Sequence, residues 1–215
     1  VTQTHGALPL LLTWPLALLF PLSIPLGLGQ VQARLEAALA RGLADTPFLE
    51  WLPMREIALQ PLVPAVQTVC VCLGLVLPVL LAYSVVPQRT TRLHALWMLQ
   101  LSALCVTSLS GALTYGPMQT WSWLTSATLA GLVLGLLLGL VAVVLSMRAS
   151  LVLLLVATLV HLALVNQAPT NSYFDQTLQI WEQGRFIRFN GLAQWLGWLW
   201  PYALILDSMR RLARP

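Results

Sequence analysis

Apolar residues run through this chain in long blocks separated by short polar breaks. The blocks cover about residues 7–28, 62–86, 93–113, 124–147, 149–165 and 191–206. About 20 apolar residues in a helix cross the roughly 30 Å hydrocarbon layer of a bilayer, so the pattern predicts six transmembrane spans. The first block holds Pro9, Pro15, Pro21 and Pro25. Each proline removes a backbone donor, so this span is expected to be bent or partly unwound. The last block reaches only about 24 Å at 1.5 Å per residue and must be extended by its flanks, thin the bilayer, or dip in without crossing.

Two longer segments, 29–60 and 166–190, are too polar for lipid. In the first, Val31, Leu35, Leu39 and Leu43 recur every four residues, while Gln32, Arg34, Glu36 and Arg41 lie elsewhere round the helix. An amphipathic helix on the membrane surface is predicted, followed by a turn over Asp45 to Pro53 anchored by Trp51. In the second, Ser172 and Asp175 cap a short helix that ends at Gly184, with Phe174, Leu178 and Trp181 on one face.

Composition agrees with this pattern. Hydrophobic residues make up 58% of 215, charged residues only 8%, and mean hydropathy is +0.80. A soluble domain carries about 25% charged residues, so the fold class is all-α, a single polytopic transmembrane helix bundle with two interfacial amphipathic helices. The net charge of +4 comes from eleven arginines without a lysine, scattered singly or in pairs. That distribution excludes a nucleic-acid surface. In the short loops the arginines favour one side, Arg89, Arg92, Arg148, Arg210, Arg211 and Arg214, and the positive-inside rule makes that side cytoplasmic. Both termini are then expected on the cytoplasmic side, and both long segments share one outer face. Residues Val1 to Gly6 contain no Lys, Arg or Met. An alternative start codon, or a longer protein of which this is the back part, is expected.

Candidate chemistry concentrates on that outer face. Trp181, Glu182, Arg185, Arg188 and Asn190 precede Trp195 and Trp198 at the entry to the last span. Arginines fork phosphate and tryptophans stack on sugar faces, so the set suits a lipid-linked or glycan headgroup, or a protein partner. The alternative is an aromatic belt with arginines resting on lipid phosphates. Gly131, Gly135 and Gly139 form two GxxxG steps on one helix face, where another helix can approach closely. That helix lies either in this chain or in a larger membrane assembly. Polar residues inside the spans, such as Gln67, Gln100, Ser102, Thr107 and Ser108, are expected to bond between helices.

Cofactor chemistry finds little support. His94 and His161 are separated by on the order of 15 to 20 Å in depth, too far to ligate one iron. His161 alone remains as an option for a pigment ligand, against a role in helix packing. Cys70 and Cys72, two apart on a helix, point to opposite sides, and no carboxylate falls within the six apolar blocks.

The stretch Asn166-Gln167-Ala168-Pro169 through Tyr173-Phe174, then Gln179 to Pro201 with its Trp181-Glu182-Gln183-Gly184-Arg185-Phe186-Ile187-Arg188-Phe189-Asn190-Gly191 core, resembles the carboxy-terminal part of proteobacterial VanZ-like membrane proteins. Leu26 to Gln30 and Asp45 to Pro53 are similar as well. The amino-terminal signature of that family includes a lysine and has no counterpart here. The resemblance implies a helical envelope protein with a link to glycopeptide resistance and no assigned chemistry. Three functions follow as expectations: a non-enzymatic membrane protein recognising envelope lipid or a partner, an accessory subunit docked through the glycine face, and an enzyme acting on lipid-linked glycan.

Overall fold

The computed structural model describes residues 6–20, 22–44, 46–48, 64–167 and 187–213, without the side chains of Ala33, Arg34, Ala37 and residues 187–190. Among the described residues there are seven α-helices and no strand: α1 Ala7–Ala17, α2 Gln32–Leu43, α3 Pro64–Tyr83, α4 Arg89–Tyr115, α5 Ser126–Ala142, α6 Met147–Gln167 and α7 Ile187–Leu212. Three of them, α3, α4 and α6, are long and apolar enough to cross a membrane, while α1 and α5 are shorter apolar helices.

The central helix is α3, which packs against α1, α4, α5 and α6, while α7 closes the bundle against α1 and α6. From Cys70 to Tyr83 all its residues but Leu73 are buried. The outward faces of the surrounding helices expose Leu101, Leu113, Val133, Val141, Val156 and Leu159. Charge is absent from these faces over most of their length, the surface expected of helices solvated by hydrocarbon.

Between α3 and α5 the seam follows the glycines. A Cβ on Gly131 would lie 2.7 Å from the Thr68 carbonyl oxygen and from Val71 Cβ, and one on Gly135 would lie 3.2 Å from the Cys72 carbonyl oxygen. Further along, a Cβ on Gly139 would come within 2.7 Å of Leu96 Cδ1. The two backbones therefore approach as only glycine permits, with the helices parallel. Polar bonds hold both ends of the seam. Thr68 Oγ1 donates to the Ala127 carbonyl at 3.1 Å, Gln67 Nε2 to Thr128 Oγ1 at 3.3 Å, and the Tyr83 hydroxyl to the Gly139 carbonyl at 3.2 Å. The glycine face is thus filled by α3 of the same chain, and an external helix would have to displace α3 to use it.

Parallel α3 and α5 with connecting helices that return give the bundle two distinct ends. At one end α3 and α5 finish, α4 and α6 begin, and α7 finishes beside Gly6, whose Cα faces the Asp207 carboxylate. Arg92 is fully engaged here. Its Nε donates to the Val86 carbonyl at 2.7 Å, Nη1 to Val143 at 2.9 Å and Leu145 at 2.6 Å, and Nη2 to Tyr83 at 2.8 Å. One guanidinium so caps the carboxy-terminal carbonyls of α3 and α5, where helix dipoles favour a cation. Arg211 adds a bond to the Ser84 carbonyl at 2.7 Å and pairs with Asp207 at 3.5 Å.

Two expectations become specific. The apolar block 7–28 is partly unwound: α1 stops at Ala17, and residues 18–20 and 22–31 are irregular. The last helix is longer than its apolar block: 26 residues make about 39 Å, and Asp207, beyond that block in sequence, lies within it.

Candidate functional site

Four prolines in the first block leave the chain without a regular helix after Ala17, and its backbone polar groups must find partners inside the bundle. Ile24, Pro25, Leu26 and Gly27 form a turn closed by the Gly27 N–H on the Ile24 carbonyl at 2.9 Å. Leu26 takes φ 62° at the turn position where glycine is usual. Its carbonyl and Cβ press on Gly74, which has no side chain to obstruct them. Gly74 lies about 15 Å along a helix about 29 Å long, so the turn reaches the middle of the bundle. Irregular backbone at such depth requires enclosure by protein.

Partners come from three helices. Ser110 on α4 donates to the Leu19 carbonyl at 2.9 Å. His161 on α6, fully buried, places Nε2 3.2 Å from the Leu28 carbonyl. Pro201 has no N–H, which frees the Gly197 carbonyl one turn earlier on α7 to accept from the Gly29 N–H at 2.8 Å. Gly29 itself has φ 92° and packs on Pro201 and Leu162.

Asn166 joins this segment to α2. Its Nδ2 donates to the Gly29 carbonyl at 3.1 Å and to the Leu162 carbonyl at 2.9 Å. Its Oδ1 accepts from Val31 N and Gln32 N, each at 3.0 Å, and so caps α2 from another helix. Val31, at the N-cap, offers no side-chain bond of its own. Ser23 and Gln30 bond to each other across the loop.

Beyond this anchor, α2 has no extensive packing against another described helix. Leu35 and Leu39 remain exposed on its apolar face. On α7, either side of Gly197, stands an aromatic group: Trp198 meets Phe20 edge-on at 6.4 Å and Trp195 at 5.5 Å between ring centroids. Trp195 is exposed, whereas Trp200 is buried and donates Nε1 to the Leu10 carbonyl at 2.8 Å. The deeper tryptophan holds α1, and the shallower pair faces outward.

The sequence-derived headgroup set is only partly visible. Trp181, Glu182 and Arg185 lie outside the described residues, as do the short helix before Gly184 and the turn around Trp51. Arg188 and Asn190 fall in the first turn of α7, their side chains undescribed. Trp195 and Trp198 are brought together. His161, considered as a pigment ligand, has Nε2 engaged by backbone and Nδ1 buried without a hydrogen-bond partner among the described residues.

Asn166 and Arg92 carry the most consequential bonds and were not singled out by sequence. A polar residue in the last turn of an apolar helix is the signal for the first. For Arg92 the signal is an arginine one turn inside a helix start, where an acid is favoured.

The arrangement is suited to holding a rim in a fixed position. No family model, curated protein or solved structure matches the chain.

Proposed function

We propose that the chain is a non-enzymatic, VanZ-like, multi-pass protein of the bacterial inner membrane. It recognises an envelope lipid or glycan headgroup, or a protein partner, at the end of the bundle away from Arg89, Arg148 and Arg210. The observation that carries this reading is the rigid mounting of α2. A helix with little packing of its own is fixed by Asn166 and by a backbone segment embedded in the bundle. Structure invested in positioning an otherwise unpacked amphipathic helix favours recognition at that rim. Phe20, Trp195 and Trp198 supply the adjoining aromatic surface.

Native mass spectrometry of the chain extracted from its membrane, with its bound lipids and proteins, tests the proposal. Replacing Arg185 and Arg188 by Gln, together with Trp195→Ala, is expected to remove a bound species that Arg210→Gln retains. An unaltered set of bound species would overturn it. A role as accessory subunit through Gly131, Gly135 and Gly139 is disfavoured because α3 occupies that face.

A further inference from the structure

At the opposite end of the bundle, a shallow groove of about 530 Å³ runs along the outer face of α6, lined by Ser146, Arg148, Ala149, Val152, Leu153 and Val156. Its chemistry is graded along its length. Arg148, exposed, stands at the mouth, and Val152, Leu153 and Val156 form an apolar wall beyond it. From Arg148 to Val156 the helix rises about 12 Å, enough to lay the upper part of an acyl chain against the wall.

The position of the arginine is informative. It is the second residue of α6, where the helix dipole is positive and an acidic residue is preferred, and the first turn of α6 holds no acid. Asp207, the acid at this end, is taken by Arg211 and faces Gly6. Ser146 Oγ already caps the Ala149 N–H at 3.1 Å, so an external anion at this end would meet chiefly the Arg148 guanidinium, aided by the helix dipole.

We infer that this groove is a site for one anionic phospholipid, its phosphate on Arg148 and an acyl chain along Val152, Leu153 and Val156. The site is independent of the outer-rim recognition proposed above. It faces the leaflet that holds the exposed arginines Arg89, Arg148 and Arg210.

Titration of the detergent-purified chain with phosphatidylglycerol, phosphatidylethanolamine or inorganic phosphate, read by native mass spectrometry, provides the test. Phosphatidylglycerol is expected to bind in preference to the other two. Arg148→Gln should weaken it by about five-fold, the factor for one basic residue at an anionic surface, and Arg148→Lys by less. Val152→Trp, which fills the groove from an exposed position, should weaken it as well, with circular dichroism checking that each variant folds. Three results would each overturn the inference: equal binding of the two lipids, inorganic phosphate competing as well as lipid, or Arg89→Gln weakening binding as much as Arg148→Gln.

Discussion

Replacing Asn166 by alanine removes four hydrogen bonds that tie the irregular segment and α2 to α6. Their loss is unequal. Val31 is half-buried and Gln32 exposed, so water can replace the cap, and this part costs about 1 kcal/mol. Gly29 is buried, and its carbonyl, left with only the long bond from the Tyr202 hydroxyl at 3.5 Å, costs about 1–3 kcal/mol. Leu162 keeps its place in the helix, and its carbonyl loses only an additional donor. Local opening of residues 26–43 should therefore become about 2–4 kcal/mol easier, equivalent to amide exchange faster by roughly 30- to 1,000-fold. Hydrogen–deuterium exchange on the chain in lipid nanodiscs measures this directly. The Gly29 N–H, bonded to Gly197, is the most informative amide. An aspartate at 166 keeps the oxygen that accepts from Val31 N and Gln32 N but turns a carboxylate oxygen on the Gly29 and Leu162 carbonyls, so exchange should be at least as fast as in alanine. Unchanged exchange across residues 26–43 in Asn166→Ala would refute the anchoring role.

The remaining predictions concern the bundle itself. Arg92→Lys keeps the charge but not the fork that reaches four carbonyls, and should lower stability by about 2–4 kcal/mol as at least two acceptors lose their donor. Thermal unfolding in detergent checks this; a melting temperature equal to wild type would contradict it. Gly131→Ala places a methyl against the Thr68 carbonyl and should destabilise by about 1–3 kcal/mol. Gly42→Ala, where a Cβ meets nothing within 4 Å, should raise the helicity of α2 by about 0.5–1 kcal/mol of propensity. Equal effects at the two glycines in unfolding and circular dichroism would remove the argument for the seam.

Much of this architecture is legible in the sequence, and the parts that are not have a common cause. Apolar run length reports helices because lipid leaves the backbone few alternatives, and the blocks at 62–86, 93–113 and 149–165 correspond to α3, α4 and α6. The four-residue spacing from Val31 to Leu43 likewise corresponds to α2. Hydropathy alone does not tell residues 18–20 and 22–31, as apolar as a span but irregular, from a helix. The prolines announced a break, yet where the chain goes next depends on bonds from Ser110, His161, Asn166 and Gly197, all distant in sequence. The same holds for Arg92, which counts as loop charge in a linear view and becomes a cap for two helices once α3 and α5 end side by side. Of the outer-face set, only the aromatic proximity of Trp195 and Trp198 is visible in the structure. Their spacing of three residues on one helix already implied it.

The central claim is a bundle whose end bearing Arg89, Arg148 and Arg210 and whose recognition rim face opposite sides of the membrane. Cysteines introduced one at a time at Arg89, Arg148, Gln119 and Ala44, in a chain carrying Cys105→Ala and keeping the buried Cys70 and Cys72, can be labelled in spheroplasts with a membrane-impermeant maleimide. All four positions are exposed at helix ends. Labelling at 44 and 119, with 89 and 148 protected until the membrane is permeabilised, is the predicted result. Labelling of both pairs from the same side would contradict the account.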